Sequence, residues 1–135
     1  MATLQSRIGD LITAIGADIK IAKSVYVPFG RSGDLETFTG PRLYFPDTVE
    51  LVSATFSVTT APTGSSAIFE VLKNGSGTFS SDPTISASGF LASAGTLAGT
   101  TTFTAVTDYL QISCSQIGST IPGSDLAVIL KLRCS

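Results

Sequence analysis

The 135-residue chain contains no histidine and no tryptophan. Without imidazole there is no Ser–His or Cys–His nucleophile pair, no histidine metal site, and not the commonest general base. Cysteine is nearly missing too. Cys114 and Cys134 are too few for a disulfide framework, and no activator is apparent in the sequence for either thiol. Charged residues make up 13% of the chain, the net charge is −2, and no basic run exists. That composition argues against nucleic acid as a partner. No apolar run approaches the roughly 18 residues of a membrane span, so no membrane partner is expected. Asp10 and Asp18 interrupt what would be the apolar core of a secretory leader, and synthesis in a cytoplasm is the expectation.

Sites for chemistry are equally sparse. Neither a Gly-x-Ser-x-Gly elbow nor a phosphate-loop pattern occurs, and Gly30–Gly33 and Gly75–Gly77 read as loop glycines. No loop is dense in oxygen ligands, so no metal or cofactor is expected. Asp34, Glu36, Asp47, Glu50, Glu70, Asp82, Asp108 and Asp125 are scattered singly. A glycosidase needs two facing carboxylates, which only folding could bring together. Asp82, Asp108 and Asp125 flank turns and read as caps and Asx-turns. The chain is expected not to be an enzyme.

What is present is apolar and β-prone, apart from one stretch. Thr3–Lys23 alone has helical periodicity. RIGDLIT aligned over AIGADIK shows a direct seven-residue repeat, with Ile12 and Ile19 at position a and Ile8 and Ile15 at d. Leu4 and Leu11 widen this stripe. Gly9 and Gly16 each cost about 1 kcal/mol relative to Ala, and helices draw most of their stability from burying a face. The stripe therefore needs a cover: copies of itself, a groove on another protein, or the chain's own β-body. Ile at both core positions favours assemblies of three or more strands, so Ile8, Ile12, Ile15 and Ile19 are the candidate oligomer interface.

After Lys23 the period becomes two. Residues 24–40 read as a linker with a short strand: SVYVPF, then the three-glycine loop GRSGDLETFTG. Residues 41–135 read as the head. ELVSATFSVT places Val52, Ala54, Phe56 and Val58 on one face and Leu51, Ser53, Thr55 and Ser57 on the other. AIFEVLK leads into Asn74–Gly75, a strong hairpin signal. DYLQISCSQ turns Leu110, Ile112 and Cys114 inward. DLAVILKLRC puts Leu126, Val128, Leu130 and Leu132 on one face, with Ala127 and Ile129 making the other partly apolar, as suits a central or subunit-facing strand. A Cys114–Cys134 bridge requires these last two strands to be neighbours. About eight short strands at regular spacing predict an antiparallel β-sandwich or jelly roll. The fold class expected is mainly β behind an N-terminal helix, with domains 1–23, 24–40 and 41–135.

Two stretches, TTAPTGSSAIFEVLKNG (59–75) and DYLQISCSQIGSTIPGSDLAVIL (108–130), resemble a β-domain recurrent in structural proteins of tailed bacteriophages. The matching motifs are Ala61-Pro62-Thr63-Gly64, Lys73-Asn74-Gly75, Asp108-Tyr109-Leu110 and Gln116–Leu126. The helix beginning at Gly9 is similar to N-terminal segments of phage fibre and tail proteins. The resemblance implies a jelly-roll-like, usually homotrimeric module with no catalytic residues to carry over. It points to a non-enzymatic virion protein, a short fibre, spike or decoration protein on capsid, collar or tail. Such a protein would contact other virion components through its helix. A host-attachment module is the alternative, with Tyr26, Tyr44 and Tyr109 as candidates to stack on a surface glycan, or else half-buried strand residues with hydroxyls at the rim. An enzyme acting on surface polysaccharide is a third reading.

Overall fold

Apolar and polar residues alternate through most of the chain after Lys23, and glycine, proline and asparagine cut that alternation into short lengths. The computed structural model describes residues 24–134. The predicted helix, with Ile8, Ile12, Ile15 and Ile19, lies outside the described residues. Within them the chain is mainly β and antiparallel, without a helix. In chain order the strands are β1 (Ser24–Asp34), β2 (Phe38–Thr39), β3 (Leu43–Tyr44), β4 (Val49–Ser57), β5 (Ala67–Lys73), β6 (Ser76–Gly77), β7 (Phe79–Ser81), β8 (Thr84–Ile85), β9 (Thr96–Leu97), β10 (Thr101–Phe103), β11 (Tyr109–Gln116) and β12 (Ser124–Cys134).

One sheet has the order β1-β12-β4-β10. In the second, β11 is central, with β2 and β3 along one side and β5 along the other, and β6 and β8 pair with β5. β7 and β9 form a separate two-stranded ladder. The inner faces share one core. Ala54, Phe56, Leu126, Val128, Leu130 and Leu132 come from the first sheet, and Ala67, Phe69, Val71, Leu110, Ile112 and Cys114 from the second. The contact between the sheets is direct: the Phe56 and Phe69 rings stack at 4.8 Å with 12° between their planes. The inward faces read from alternation on β11 and β12 are the buried ones. β12 lies between β1 and β4, the central placement its two-sided apolar character suggested, and Ile129 on its outer side is 47% exposed.

Two expectations need correction. On β4, Leu51 is buried together with Ala54 and Phe56, not on the opposite face. Ser53 pairs with Lys131 and Leu51 with Leu132, so Val52 is an extra residue, a β-bulge that shifts the parity of everything before it. The 24–40 stretch, expected as a linker with a short strand, is built into the body instead. β1 runs eleven residues along β12, Leu35 is 2% exposed, and its N–H donates to the Gly123 carbonyl at 2.8 Å. Its glycines serve backbone geometry: Gly33 has φ +90° where the β1–β12 register slips between Arg31 and Asp34. The two cysteines are free, and Cys114 is the buried thiol that its inward position on the strand suggested. β11 and β12 belong to different sheets, Cys114 lies opposite Phe38 and Phe69, and Cys134 lies opposite Val49.

The pairings define two ends. The start of β1, the end of β12 and the start of β4 share one end of the first sheet, called proximal here because residues 1–23 join there. The other end of that sheet holds Asp34, Ser57 and Ser124 and is distal. Phe56→Ala would remove the stacked ring and leave a cavity between the sheets. The expected loss is about 3–5 kcal/mol in urea-induced unfolding. A loss below about 1 kcal/mol would mean that the sheets are not held together there.

Candidate functional site

The four motifs that stood apart in the sequence meet in pairs. At the distal end, the Thr60–Ser66 turn lies against the Ile117–Ser124 turn. The Thr63 N–H donates to the Ile121 carbonyl at 2.9 Å, and the Thr120 N–H donates to the Thr63 carbonyl at 3.0 Å. Thr59 N–H donates to the Ser124 carbonyl at 3.0 Å, and Ser124 N–H returns a bond to Thr60 at 3.1 Å. The Ser65 hydroxyl donates to the Ile117 carbonyl at 2.8 Å. This turn-to-turn ladder is so close that a Cβ on Gly118 would collide with the Ile121 carbonyl and the Thr63 backbone. Here glycine is required for close approach. Gly64, at φ +84°, faces Ser119 and Thr120 in the same way.

At the far end of β5, the Lys73-Asn74-Gly75 hairpin interlocks with Asp108-Tyr109. Asn74 and Gly75 both have positive φ, 51° and 85°, as a tight two-residue turn requires. The Asn74 amide donates to Asp108 Oδ1 at 2.8 Å, while its carbonyl oxygen accepts from the Tyr109 N–H at 3.0 Å. The Asn74 N–H donates to the Tyr109 carbonyl at 3.0 Å. Asp108 also accepts from the Thr104 N–H at 2.9 Å and stands 3.7 Å from Lys73 Nζ. The backbone bond from Thr104, then the Asn74 amide, hold its carboxyl below the usual range. Asp108 is thus the turn-closing residue its position suggested. Asp125 acts alike, with Oδ1 accepting from the Gly33 N–H at 2.9 Å.

The tyrosines divide between the sheets. Tyr44 and Tyr109 pair across β3 and β11, with ring centroids 5.7 Å apart and tilted by 55°. The Arg42 guanidinium lies 4.4 Å over the Tyr109 ring. Tyr109 is half-buried, as expected for a strand residue, whereas Tyr44 is 50% exposed. Tyr26 is exposed on β1 of the other sheet, so the three do not converge.

One carboxyl pair does form, and sequence spacing gave no sign of it. Glu70, pointing away from the core on β5, meets Asp82. Burial first, and then the hydrogen bond to Asp82, push Glu70 up from the usual 4.5 to about 7. Glu70 Oε1 also accepts from the N–H groups of Val71 at 2.9 Å and of Thr78 and Phe79, both at 3.3 Å. These bonds tie β5 to the chain leaving the hairpin. Its bonds to three backbone N–H groups make Glu70 a fastening between strands. Among the described residues no three Cys, Asp or Glu side chains gather as a metal site would require.

Two measurements test these fastenings. Asn74→Ala would lose both side-chain bonds and leave, in left-handed backbone that costs about 1–2 kcal/mol, a residue without the local hydrogen bonding by which asparagine tolerates it. Asn74→Gly loses the bonds alone. The alanine variant should melt lower than the glycine variant, and both below the native chain; equal melting would show that the turn carries no backbone constraint. For Glu70, the folded state holds its proton more tightly than the unfolded chain does. Its stabilising contribution is therefore complete below about pH 4.5 and lost as pH rises through about 7. The urea midpoint should fall from pH 5 to pH 8, and Glu70→Gln should flatten that slope. A flat native profile would refute the pairing. Among known proteins, no family model matches this chain and no curated protein matches it.

Proposed function

We propose that this chain is a non-enzymatic structural component of a tailed-phage virion, a short fibre, spike or decoration protein. In this reading the body is a jelly-roll-like β-sandwich head, and residues 1–23 form a helix that trimerises along Ile8, Ile12, Ile15 and Ile19 and meets other virion proteins. The observation that carries the reading is the pairing of the motifs. The segments that resemble the phage domain are the ones that interlock, at 59–66 with 117–124 and at 73–75 with 108–109. Residues bonded to one another in this way act as determinants of the domain's shape.

The outer face of the first sheet suits packing among copies. Across its strands run the rows Pro28–Ile129–Thr55 and Gly30–Ala127–Ser57, all uncharged. Around a closed threefold axis such faces can be buried without open-ended growth. β1, one of the two edge strands of that sheet, carries Pro28, which weakens it as a template for unwanted pairing. A second reading, host attachment, is favoured by one observation, the exposed Tyr44 ring beside Tyr109 and Arg42. Glycan-array binding lost in Tyr44→Ala would support it.

Light scattering tests the leading reading. Three 13.9 kDa chains should travel together at about 42 kDa. Joint replacement of Ile12 and Ile19 by Asp should yield monomers or insoluble heads. A native monomer of 13.9 kDa would overturn the trimer, and purified virions that antibody against the head fails to label would overturn the virion placement.

A further inference from the structure

On the outer face of the second sheet, β3 presents a half-exposed aromatic ring. The sequence PRLYFP holds this two-residue strand between Pro41 and Pro46, whose fixed φ stiffens both flanks. Alternation then decides the faces. Leu43 packs against the core, and Tyr44 points outward at 50% exposure. The Gly40 N–H donates to the Ile112 carbonyl at 2.7 Å, and the Gln111 amide donates to the Gly40 carbonyl at 2.9 Å. The chain entering β3 is thereby pinned to β11. On leaving β3, the Phe45 carbonyl accepts from the Val106 N–H at 2.9 Å. Val106 has φ +49°, an outlier for a β-branched residue, and is 73% exposed. The fold thus holds a second apolar side chain in water, in strained backbone, bonded to the residue that follows Tyr44.

The charge beside this ring is unanswered. Arg31, Lys73 and Arg133 stand 3.1, 3.7 and 3.9 Å from the carboxylates of Glu36, Asp108 and Glu50. Among the described residues no carboxylate pairs with Arg42, which is exposed. Its guanidinium lies over Tyr109 and not over Tyr44. The exposed Tyr26 differs, because Lys131 Nζ stands 6.0 Å over that ring itself. Asp108, next to Tyr109, already has Lys73 and the Asn74 amide as partners. A guanidinium is a planar fork of N–H donors that matches a carboxylate with two bonds, and an aromatic face accepts an apolar ring face. Size points to a small ligand. Half of a tyrosine offers about 100 Å², far below the roughly 800 Å² per partner of a stable protein interface.

We propose that Arg42 and Tyr44 form a subsite for an acidic saccharide, a hexuronate or sialate unit whose ring stacks on Tyr44 while its carboxylate pairs with the Arg42 guanidinium. The subsite rests on the host-attachment reading for its class of ligand. What it adds is the acid, and the residue that selects it.

Calorimetric titration of the full chain at low ionic strength tests this, with tetragalacturonate and sialyllactose as probes, each against its own methyl ester. The ester keeps the ring and removes the charge. At least one acid should bind on the order of tenfold tighter than its ester, and added salt should narrow that difference. Arg42→Gln should erase the preference and leave the affinity for the ester unchanged. Arg42→Lys should recover only part of it, because an ammonium lacks the planar fork. Tyr44→Leu, which keeps an apolar side chain on β3, should weaken acid and ester alike, and Tyr26→Ala should change neither. Equal affinity for acid and ester, lost in Tyr44→Leu, would overturn the acidic subsite and leave host attachment standing. No binding of acids or esters would overturn the subsite together with the glycan reading of Tyr44. A polyglutamate peptide that binds as tightly as the acids through Arg42 would overturn the saccharide assignment, by showing that charge alone is recognised.

Discussion

Burial of two apolar sheet faces against each other is the condition every other feature serves. The first sheet offers Phe56, Val128, Leu130 and Leu132, and the second offers Phe69, Val71, Leu110 and Ile112. Neither face is tolerable in water alone, since each buried aliphatic or aromatic side chain contributes about 1.5–3 kcal/mol on leaving it. The two sheets meet through these apolar faces. Their relative placement rests on the Phe56–Phe69 stack, the Phe45–Phe103 edge contact at 5.8 Å, and the turns where the chain crosses from one sheet to the other.

Those crossings explain the two fastened ends. Chain leaving β4 must cross to β5, and chain leaving β11 must cross to β12. Both crossings occur at the distal end and bond to each other there. Backbone N–H and carbonyl groups in turns need partners when they leave a sheet, and here each turn supplies the other's. The glycines at 64 and 118 follow from that closeness. At the other end of the second sheet, Asp108 and Asn74 satisfy the turns with side chains.

What could be read from the residues was local. Alternation revealed the inward faces of β11 and β12, because Leu110–Cys114 and Leu126–Leu132 keep an unbroken period of two. Asn74–Gly75 announced its turn through the same backbone preference that the structure uses. The failures came where register or distance decides. Nothing in ELVSAT marks Val52 as the extra residue, since a bulge is a relation between two strands. The glycines of 30–40 suggested a joint because freedom of φ looks alike in a hinge and in a pinned crossover. Glu70 and Asp82 lie twelve positions apart, and only the return of the chain after the β5 hairpin brings them together. The pairing of the four motifs is of the same kind: each was visible alone, and their contacts were not.

The neighbour of β1 in its sheet is β12, with Ser24 opposite Arg133. Strand β1 therefore has no ladder to join until almost the whole body has been synthesised. Closing so long a loop is an entropic barrier that local hairpins do not face, and it slows folding. On the ribosome, the amino-terminal segment emerges well before the head can complete its first sheet. The order of strands thus makes closure of the first sheet at its β1 edge one of the last events of folding.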